Sequence, residues 1–436
     1  MRILIIGSGA REHAIAWSLR KANPQIKLFC APGNAGIAEV AQGVPVAPTD
    51  PAALRKFAHE ESIDLTIVGP ELPLVEGLVD AFEGEGLAIF GPSQAASRLE
   101  GSKAFAKGFM ARNGIPTARY RVADSPIEAI EILRNGQFGS GQTPIVVKAD
   151  GLAAGKGVIV AASSAEAEEA VTELARIGLA GPDKPLVIEE GLIGKEASVL
   201  VFADGRDYIP MPPARDHKRI GENETGPNTG GMGSITDESI IDDKLLTRVA
   251  IEIIEPTLAA SHREGFPFKG ILFFGLMLTA DGPKVLEYNV RFGDPETQAI
   301  LVRLNSDLLS LFQATREGTL AAHKVAWSEG ASACVVLANR GYPGKYESGA
   351  VIHGLTEARK CDGVQVFHAG TAKSGEGEFL ATGGRVLAVT ATGATLSKAL
   401  EKCYCSVEKI SWEGMQYRRD IGGFSRRPLK TSMGQV

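Results

Sequence analysis

Apolar residues along the chain fall into short runs separated by longer amphipathic stretches. Ile3–Ile6, Lys27–Cys30, Leu65–Val68 and Leu87–Phe90 have strand length and run into glycine or proline. Helix-like patterns over Glu12–Arg20, Ala52–Glu60 and Leu74–Phe82 lie between them. Strands alternating with helices predict a doubly wound parallel α/β domain. Ligands of such sheets sit beyond the carboxyl ends of the strands. Those ends are Gly7-Ser8-Gly9, Ala31-Pro32-Gly33-Asn34, Gly69-Pro70-Glu71 and Gly91-Pro92-Ser93, four polar tips on one edge.

From Ser102 the texture changes. A helix over Ser102–Arg112 leads to strands near Ile145–Lys148, Val158–Ala161, Leu186–Glu189 and Ala197–Phe202. A polar, glycine-rich passage, Asp216–Gly233, follows, and then a helical segment, Asp242–Ser261. Ile271–Leu278 and Lys284–Arg291 read as a hairpin turning at Asp281-Gly282-Pro283. The stretch from Ala331 to Asp420 is β-rich, and the last residues look like a tail. Along Lys284–Arg291, strand alternation assigns Leu286, Tyr288 and Val290 to one face and Glu287, Asn289 and Arg291 to the other.

Composition narrows the function classes. Glycine makes up 51 of 436 residues, about 12% against an average near 7%, which implies many sharp turns or close backbone approaches. The net charge of −6 gives no field favouring nucleic acid or an anionic membrane. Five scattered cysteines indicate neither a disulfide framework nor a zinc site. The N-terminus turns polar too soon for a signal peptide, and Gly270–Ala280 is too short to cross a membrane, so a soluble, cytoplasmic chain is expected.

Several motifs carry chemistry. Gly7-Ser8-Gly9-Ala10-Arg11-Glu12 lacks the third glycine of a dinucleotide fingerprint, since Glu12 stands there, but it leaves a helix N-terminus and Arg11 for one phosphate. Lys148 leaves a strand into the loop Gly151–Gly157, where Gly155 and Lys156 lack Walker spacing. That layout suits a flap closing over polyphosphate, with lysines as point charges. Glu287 and Asn289, adjacent on one strand face, suit a hard cation sharing phosphate oxygens, and Arg291 suits a transferring phosphoryl group. Asp216-His217-Lys218-Arg219, with the following glycine-rich loop, reads as an anion-binding concavity or a solvated loop.

Together these motifs resemble the ATP-grasp superfamily and, within it, the phosphoribosylamine–glycine ligase family. The resemblance spans Met1 to about Ile421 and rests on APGNAG (Ala31–Gly36), IVGPE (Ile67–Glu71), LEGSKAF (Leu99–Phe105), KADGLAAGKGV (Lys148–Val158), DHKR (Asp216–Arg219), TGPNTGGMG (Thr225–Gly233), RFGDPET (Arg291–Thr297) and GYPG (Gly341–Gly344). It implies an N-terminal substrate domain (1–101), an ATP-grasp domain of two α+β lobes (102–325, with a lid lobe about 115–192), a C-terminal β-rich domain (326–425) and a tail (426–436). By the same resemblance ATP meets Lys148, Gly151, Gly155, Lys156, Gly157, Glu189, Glu190, Leu192 and Glu196. Glu287 and Asn289 hold Mg2+ or Mn2+. Phosphoribosylamine meets Gly9, Arg11, Glu12, Asn34, Glu71, Asp216, His217, Arg219, Asn228, Gly230 and Gly231. Arg291, Asp294 and Lys218 serve catalysis, with glycine near Arg291 and Asp294. The implied partners are ATP, glycine and phosphoribosylamine, with no nucleic acid and no membrane, acting on a monomer or weak dimer. Ser8, Ala10 and Arg215 depart from the family's usual residues.

Overall fold

The computed structural model describes residues 1–138, 143–153 and 157–423. Gly155, Lys156 and the tail from Arg426 lie outside them. The N-terminal sheet holds β1 (Arg2–Gly7), β2 (Lys27–Pro32), β3 (Gln42–Gly43), β4 (Leu65–Val68) and β5 (Ile89–Phe90). All are parallel, in the order β3-β2-β1-β4-β5. The strand order reverses at β1, so the tips after β1 and β4 flank the crevice where doubly wound sheets bind ligands. The helix expected over 74–82 is two pieces, Glu71–Val75 and Leu78–Glu83, because Gly77 between them adopts φ +84°.

A four-stranded antiparallel sheet follows: β6 (Tyr120–Ala123), β7 (Ile145–Ala149), β8 (Val158–Ala161) and β9 (Leu186–Glu190), in the order β6-β9-β7-β8. Helices Pro126–Arg134 and Ser164–Arg176 cover it, each started by a serine side chain accepting a backbone N–H. This lobe has its own core of Leu133, Val147, Leu174, Ile188 and neighbours.

Ten of the remaining strands build one large sheet, and the others form two small ones. They are β10 (Lys195–Asp204), β11 (Tyr208–Pro210), β12 (Ala214–Asp216), the separate hairpin β13 (Arg219–Gly221) and β14 (Thr225–Asn228), β15 (Gly233–Thr236), β16 (Lys269–Thr279), β17 (Gly282–Asn289), β18 (Ala331–Asn339), β19 (Ala350–Val351), β20 (Val364–His368), β21 (Thr371–Lys373), β22 (Phe379–Ala381), β23 (Arg385–Gly393) and β24 (Met415–Gln416). The path β17-β16-β10-β12-β15-β18-β23-β20 runs unbroken into the C-terminal part through β15–β18, while β19, β22 and β21 form a small sheet of their own. Segment 243–263 is helical but passes through a π turn, Ala250–Ile254, just before Pro256, which cannot donate to the preceding turn. Among the described residues no helix is long and apolar enough to cross a membrane.

Two sequence expectations shift at the β16–β17 hairpin. Its turn falls at Ala280–Asp281, with Gly282 already paired to Thr279. The register slips where Leu276 faces Val285 and Gly275 faces Glu287, leaving Leu286 unmatched as a bulge. Leu286 therefore leaves the core face and lines the cleft, whereas Val285, Tyr288 and Val290 are buried. Just beyond β17, Phe292 packs against Phe202 and Phe312, and Phe312 lies 4.4 Å from Phe90 of the N-terminal sheet. This aromatic cluster fixes the segment carrying Arg291.

A separate core in the 120–190 lobe predicts local rather than global loosening there. Leu174 is fully buried in it, and Leu174→Ala should cost about 2–5 kcal/mol. Native-state hydrogen exchange should show amides of β7 and β9 losing protection while those of β1 and β4 keep theirs. Equal loss in both sheets would contradict an independent lobe core.

Candidate functional site

A cavity of about 490 Å3 lies where the three regions meet. The strand tips supply Arg11 and Glu71, and helix Lys103–Arg112 supplies Lys103 and Lys107. The β7–β8 connection adds Gly151–Ala153 and Gly157, and β17 adds Glu287 and Asn289. Asp216, Lys218, Gly230, Tyr342 and Arg385 close the far side. The lining combines apolar surface from Leu99, Ala106, Met110 and Leu286 with a concentration of cations.

Most of these cations have a carboxylate beside them. Glu189, 1% exposed, faces Lys107 and Lys148 at 2.9 Å each. Lys148 also donates to the Leu286 carbonyl at 3.0 Å, and Lys107 to the Thr117 hydroxyl at 2.7 Å. Burial lowers the Lys107 ammonium to a pKa of about 8, with Glu189 pulling the other way. Lys218 pairs with Glu196 at 3.3 Å and Glu287 at 3.7 Å. Desolvation works to raise the Glu287 carboxyl, but Lys218, Lys148 and Lys103 outweigh it and hold the group below its ordinary range. Arg291 donates to Glu100 (2.8 Å), Glu71 (3.2 Å) and Asn289 Oδ1 (3.1 Å). Burial raises Glu100 in spite of Arg291, whereas Arg291 and Arg11 overcome burial and lower Glu71.

The remaining residues expected at the site divide sharply. Glu196 meets Lys218, but Glu190 turns outward to Arg119 (2.6 Å), and Leu192 does not line the cavity. Gly151 accepts from Lys103 Nζ through its carbonyl at 2.7 Å. Glu189 reaches the cavity with both oxygens turned to lysines rather than to an open sugar position. Asp216 and Lys218 point into the cleft, so the alternating His217 and Arg219 point away. His217 Nε2 accepts the Gly422 N–H at 3.0 Å, and Arg219 donates to the Gly226 carbonyl at 2.8 Å. Asn228 is held opposite Arg219 in the β13–β14 hairpin, outside the cavity lining. Gly231 packs against Asp216.

Glu12 does not leave its helix N-terminus open. Its carboxylate accepts the Gly9 N–H and Arg11 Nε, both at 2.6 Å, so it caps the position a phosphate would use. Gly9 and Asn34 instead line a second cavity of about 470 Å3 with Ser8, Thr371 and Thr382. The Asn34 side chain is occupied there, donating to the Ser8 and His368 carbonyls and accepting from Gly36 and Ile37. Asp294, Tyr342 and Arg385 line both cavities, which therefore adjoin. Asp294 pairs with Arg385 at 3.0 Å and accepts from Gln298 at 2.8 Å.

Sequence reasoning assigned no role to Glu100, Lys103, Lys107, Glu296, Tyr342 or Arg385. Glu100 and Lys103 sit in the recognised LEGSKAF motif and Tyr342 in GYPG, so the motifs marked them without revealing their partners. Lys103 and Lys107 share a helix face by their spacing of four. Arg385 has no local signal. Among the described residues no three or more His, Cys, Asp or Glu side chains gather as a metal cage. Glu287, with its side chain 38% exposed, and Asn289 Oδ1 do fit two positions on a hard cation whose other ligands come from phosphate and water.

Comparison with known proteins places these features. Family models described as phosphoribosylglycinamide synthetase match in order: the N domain over residues 1–100, the ATP-grasp (A) domain over 101–297 and the C domain over 332–423. Phosphoribosylamine–glycine ligase of Caldanaerobacter subterraneus subsp. tengcongensis is 46% identical over 422 residues, covering 97% of this chain and 99% of that protein. The Yersinia pestis protein of the same name is 49% identical over 426 residues, covering 97% and 98%. The crystal structure of phosphoribosylamine–glycine ligase from Thermotoga maritima superposes with a TM-score of 0.81 at 34% identity, covering 96% of this chain and all of that one. The biotin carboxylase domain of Hydrogenobacter thermophilus 2-oxoglutarate carboxylase, 16% identical over 95% of this chain and 91% of its own, shares the fold with a TM-score of 0.70. With three successive family domains spanning most of its length, the chain belongs to the phosphoribosylglycinamide synthetase family.

Proposed function

We propose that the chain joins 5-phosphoribosylamine to glycine at the expense of ATP, through a glycyl phosphate, giving glycinamide ribonucleotide, ADP and phosphate in de novo purine biosynthesis. The observation that carries this is the meeting of a lysine-lined cavity and the Glu287–Asn289–Arg291 face with a second, sugar-sized cavity that shares its wall. A carboxylate is a poor electrophile, and phosphorylation gives it a good leaving group. Phosphoryl transfer needs alignment and charge neutralisation more than covalent help.

ATP fits the 490 Å3 cavity with its base against Leu99, Met110 and Leu286 and its phosphates toward Lys103 and Lys148. Glu189 keeps Lys148 extended toward the phosphates. Glu287 and Asn289 would hold the divalent cation, magnesium or manganese, which when bound would neutralise phosphate charge. Arg291 orients the glycine carboxylate, and Glu71 and Glu100 fix its guanidinium plane. The sugar phosphate occupies the second cavity, near Gly9, Asn34, Thr371 and Thr382. The lobe over 115–192 serves as a lid that excludes water, since acyl phosphates hydrolyse. The enzyme acts in the cytoplasm as a monomer or weak dimer.

ADP release should require ATP, glycine and phosphoribosylamine together, and ADP formation without glycine would sink the proposal. Glu287→Ala should lower kcat roughly 10²–10³-fold, as expected for several kcal/mol of lost charge stabilisation. Its circular dichroism and Tm should persist, because Lys218 keeps Glu196 as a partner. Unchanged turnover at limiting magnesium would refute the metal role. Raising pH through about 8 removes the Lys107 proton and one positive charge behind the phosphates. The KM for ATP should therefore rise above that pH, and Lys107→Met should show weak binding with no such inflection.

A further inference from the structure

Two carboxylates in the main cavity have no part in phosphoryl transfer as described. Asp216 ends β12, and Glu296 opens the helix Glu296–Leu301. Glu296 is 3% exposed and accepts from Ser198 Oγ at 3.3 Å. Asp216 Oδ1 is buried without a hydrogen-bond partner. A methyl placed on Gly231, whose φ is +107°, would lie 2.4 Å from Pro295 Cδ and 2.7 Å from that oxygen, so only glycine lets the backbone pass this close to the carboxylate. The neighbouring Gly230 donates its N–H to the Tyr342 hydroxyl at 2.9 Å, and Arg385 donates to the Gly230 carbonyl. Tyr342 and Arg385 wall both cavities. Asp216 thus lines the first cavity beside the wall that the two cavities share, within reach of an amine entering from the second.

Its electrostatic surroundings suit proton transfer. Glu296, Lys218, Arg385 and Glu196 face Asp216, and the Cys334 thiol on β18 is close enough to feel its charge. Burial, and then the Glu296 charge, push the Asp216 carboxyl well above its usual range, against Lys218 and Arg385. Burial also raises Glu296, against Lys218 and Arg291. Two like charges so placed do not both ionise easily, and the pair titrates as a unit.

Building on the ligase reading, we infer that Asp216 accepts the proton released when the ribosylamine nitrogen attacks the glycyl carbonyl, with Glu296 as its positioning partner. In that step the nitrogen–carbon bond forms. The carbon–oxygen bond to phosphate breaks, and its electron pair leaves on phosphate. One nitrogen proton passes to the Asp216 carboxylate and later to solvent. A carboxylate pushed upward takes a proton from a developing ammonium far better than an ordinary aspartate.

The test uses the full-length enzyme. Asp216→Asn should lower kcat on the order of 10²–10³-fold, with KM values for ATP and glycine within about threefold, and Asp216→Glu should restore part of the loss. Wild-type activity should fall as pH drops through the raised pKa of the pair. Glu296→Gln removes the like charge, so that acid limb should move to lower pH while kcat falls less than in Asp216→Asn. Asp216→Asn within threefold of wild type would overturn the inference, as would an ATP KM rising in step with the kcat loss. An acid limb unmoved in Glu296→Gln would overturn it even if Asp216→Asn failed to fold. Failure of the ligase reading looks different, because wild type itself would then lack glycine-dependent ADP release.

Discussion

A cleft that is to hold polyphosphate must gather cations, and gathered cations must be neutralised when no phosphate is present. Taking a charge out of water without a partner costs several kcal/mol. The structure meets this constraint with carboxylates: Glu189 for Lys107 and Lys148, Glu196 and Glu287 for Lys218, Glu71 and Glu100 for Arg291, and Asp294 for Arg385. The most buried pairings have a further consequence. Glu189 is enclosed, and its two oxygens hold Lys107 and Lys148 in place at 2.9 Å each. Glu287 is more open and its lysine lies at 3.7 Å, so it can release that partner to a cation and a nucleotide.

These partners come from distant parts of the chain, and the sheet explains how they meet. Because β15 pairs with β18, the strands carrying Asp216 and Glu287 are continuous with the strand that Arg385 begins. The aromatic contact among Phe90, Phe202, Phe292 and Phe312 then fastens the N-terminal sheet to this framework, bringing Glu71 to Arg291. Among the described residues, only the lobe over 120–190 keeps a core of its own.

The sequence made the local part of this legible. Strand period alone put Glu287, Asn289 and Arg291 on one face, and all three line the cleft. The same period applied to Asp216–Arg219 separates His217 and Arg219 from Asp216 and Lys218, a distinction the motif as a block conceals. Leu286 could not be read, because its bulge is created by the register of the opposing strand. The partners of Glu100 and Arg385 were hidden for a related reason: they lie 191 and 91 residues away. Glu189 was legible as a cleft residue, but not as the counter-ion of two lysines, since one of them comes from a helix outside its sheet.

Glu12 shows how a departure from a motif can report a change of task. A dinucleotide loop needs glycine there so that helix and strand can approach. Here the glycines are at Gly7 and Gly69, and the Glu12 side chain fills the space they leave; a methyl on Gly7 would lie 2.6 Å from Glu12 Cδ. The carboxylate caps the helix and orients Arg11, whose Nη1 reaches the Phe292 carbonyl at 3.1 Å. At the first strand tip an internal carboxylate therefore occupies the helix N-terminus, and its arginine is tied to the segment bearing Arg291. The cations that remain open to a ligand lie instead in the lysine-lined cavity, where the β4 tip contributes Glu71 as a partner of Arg291.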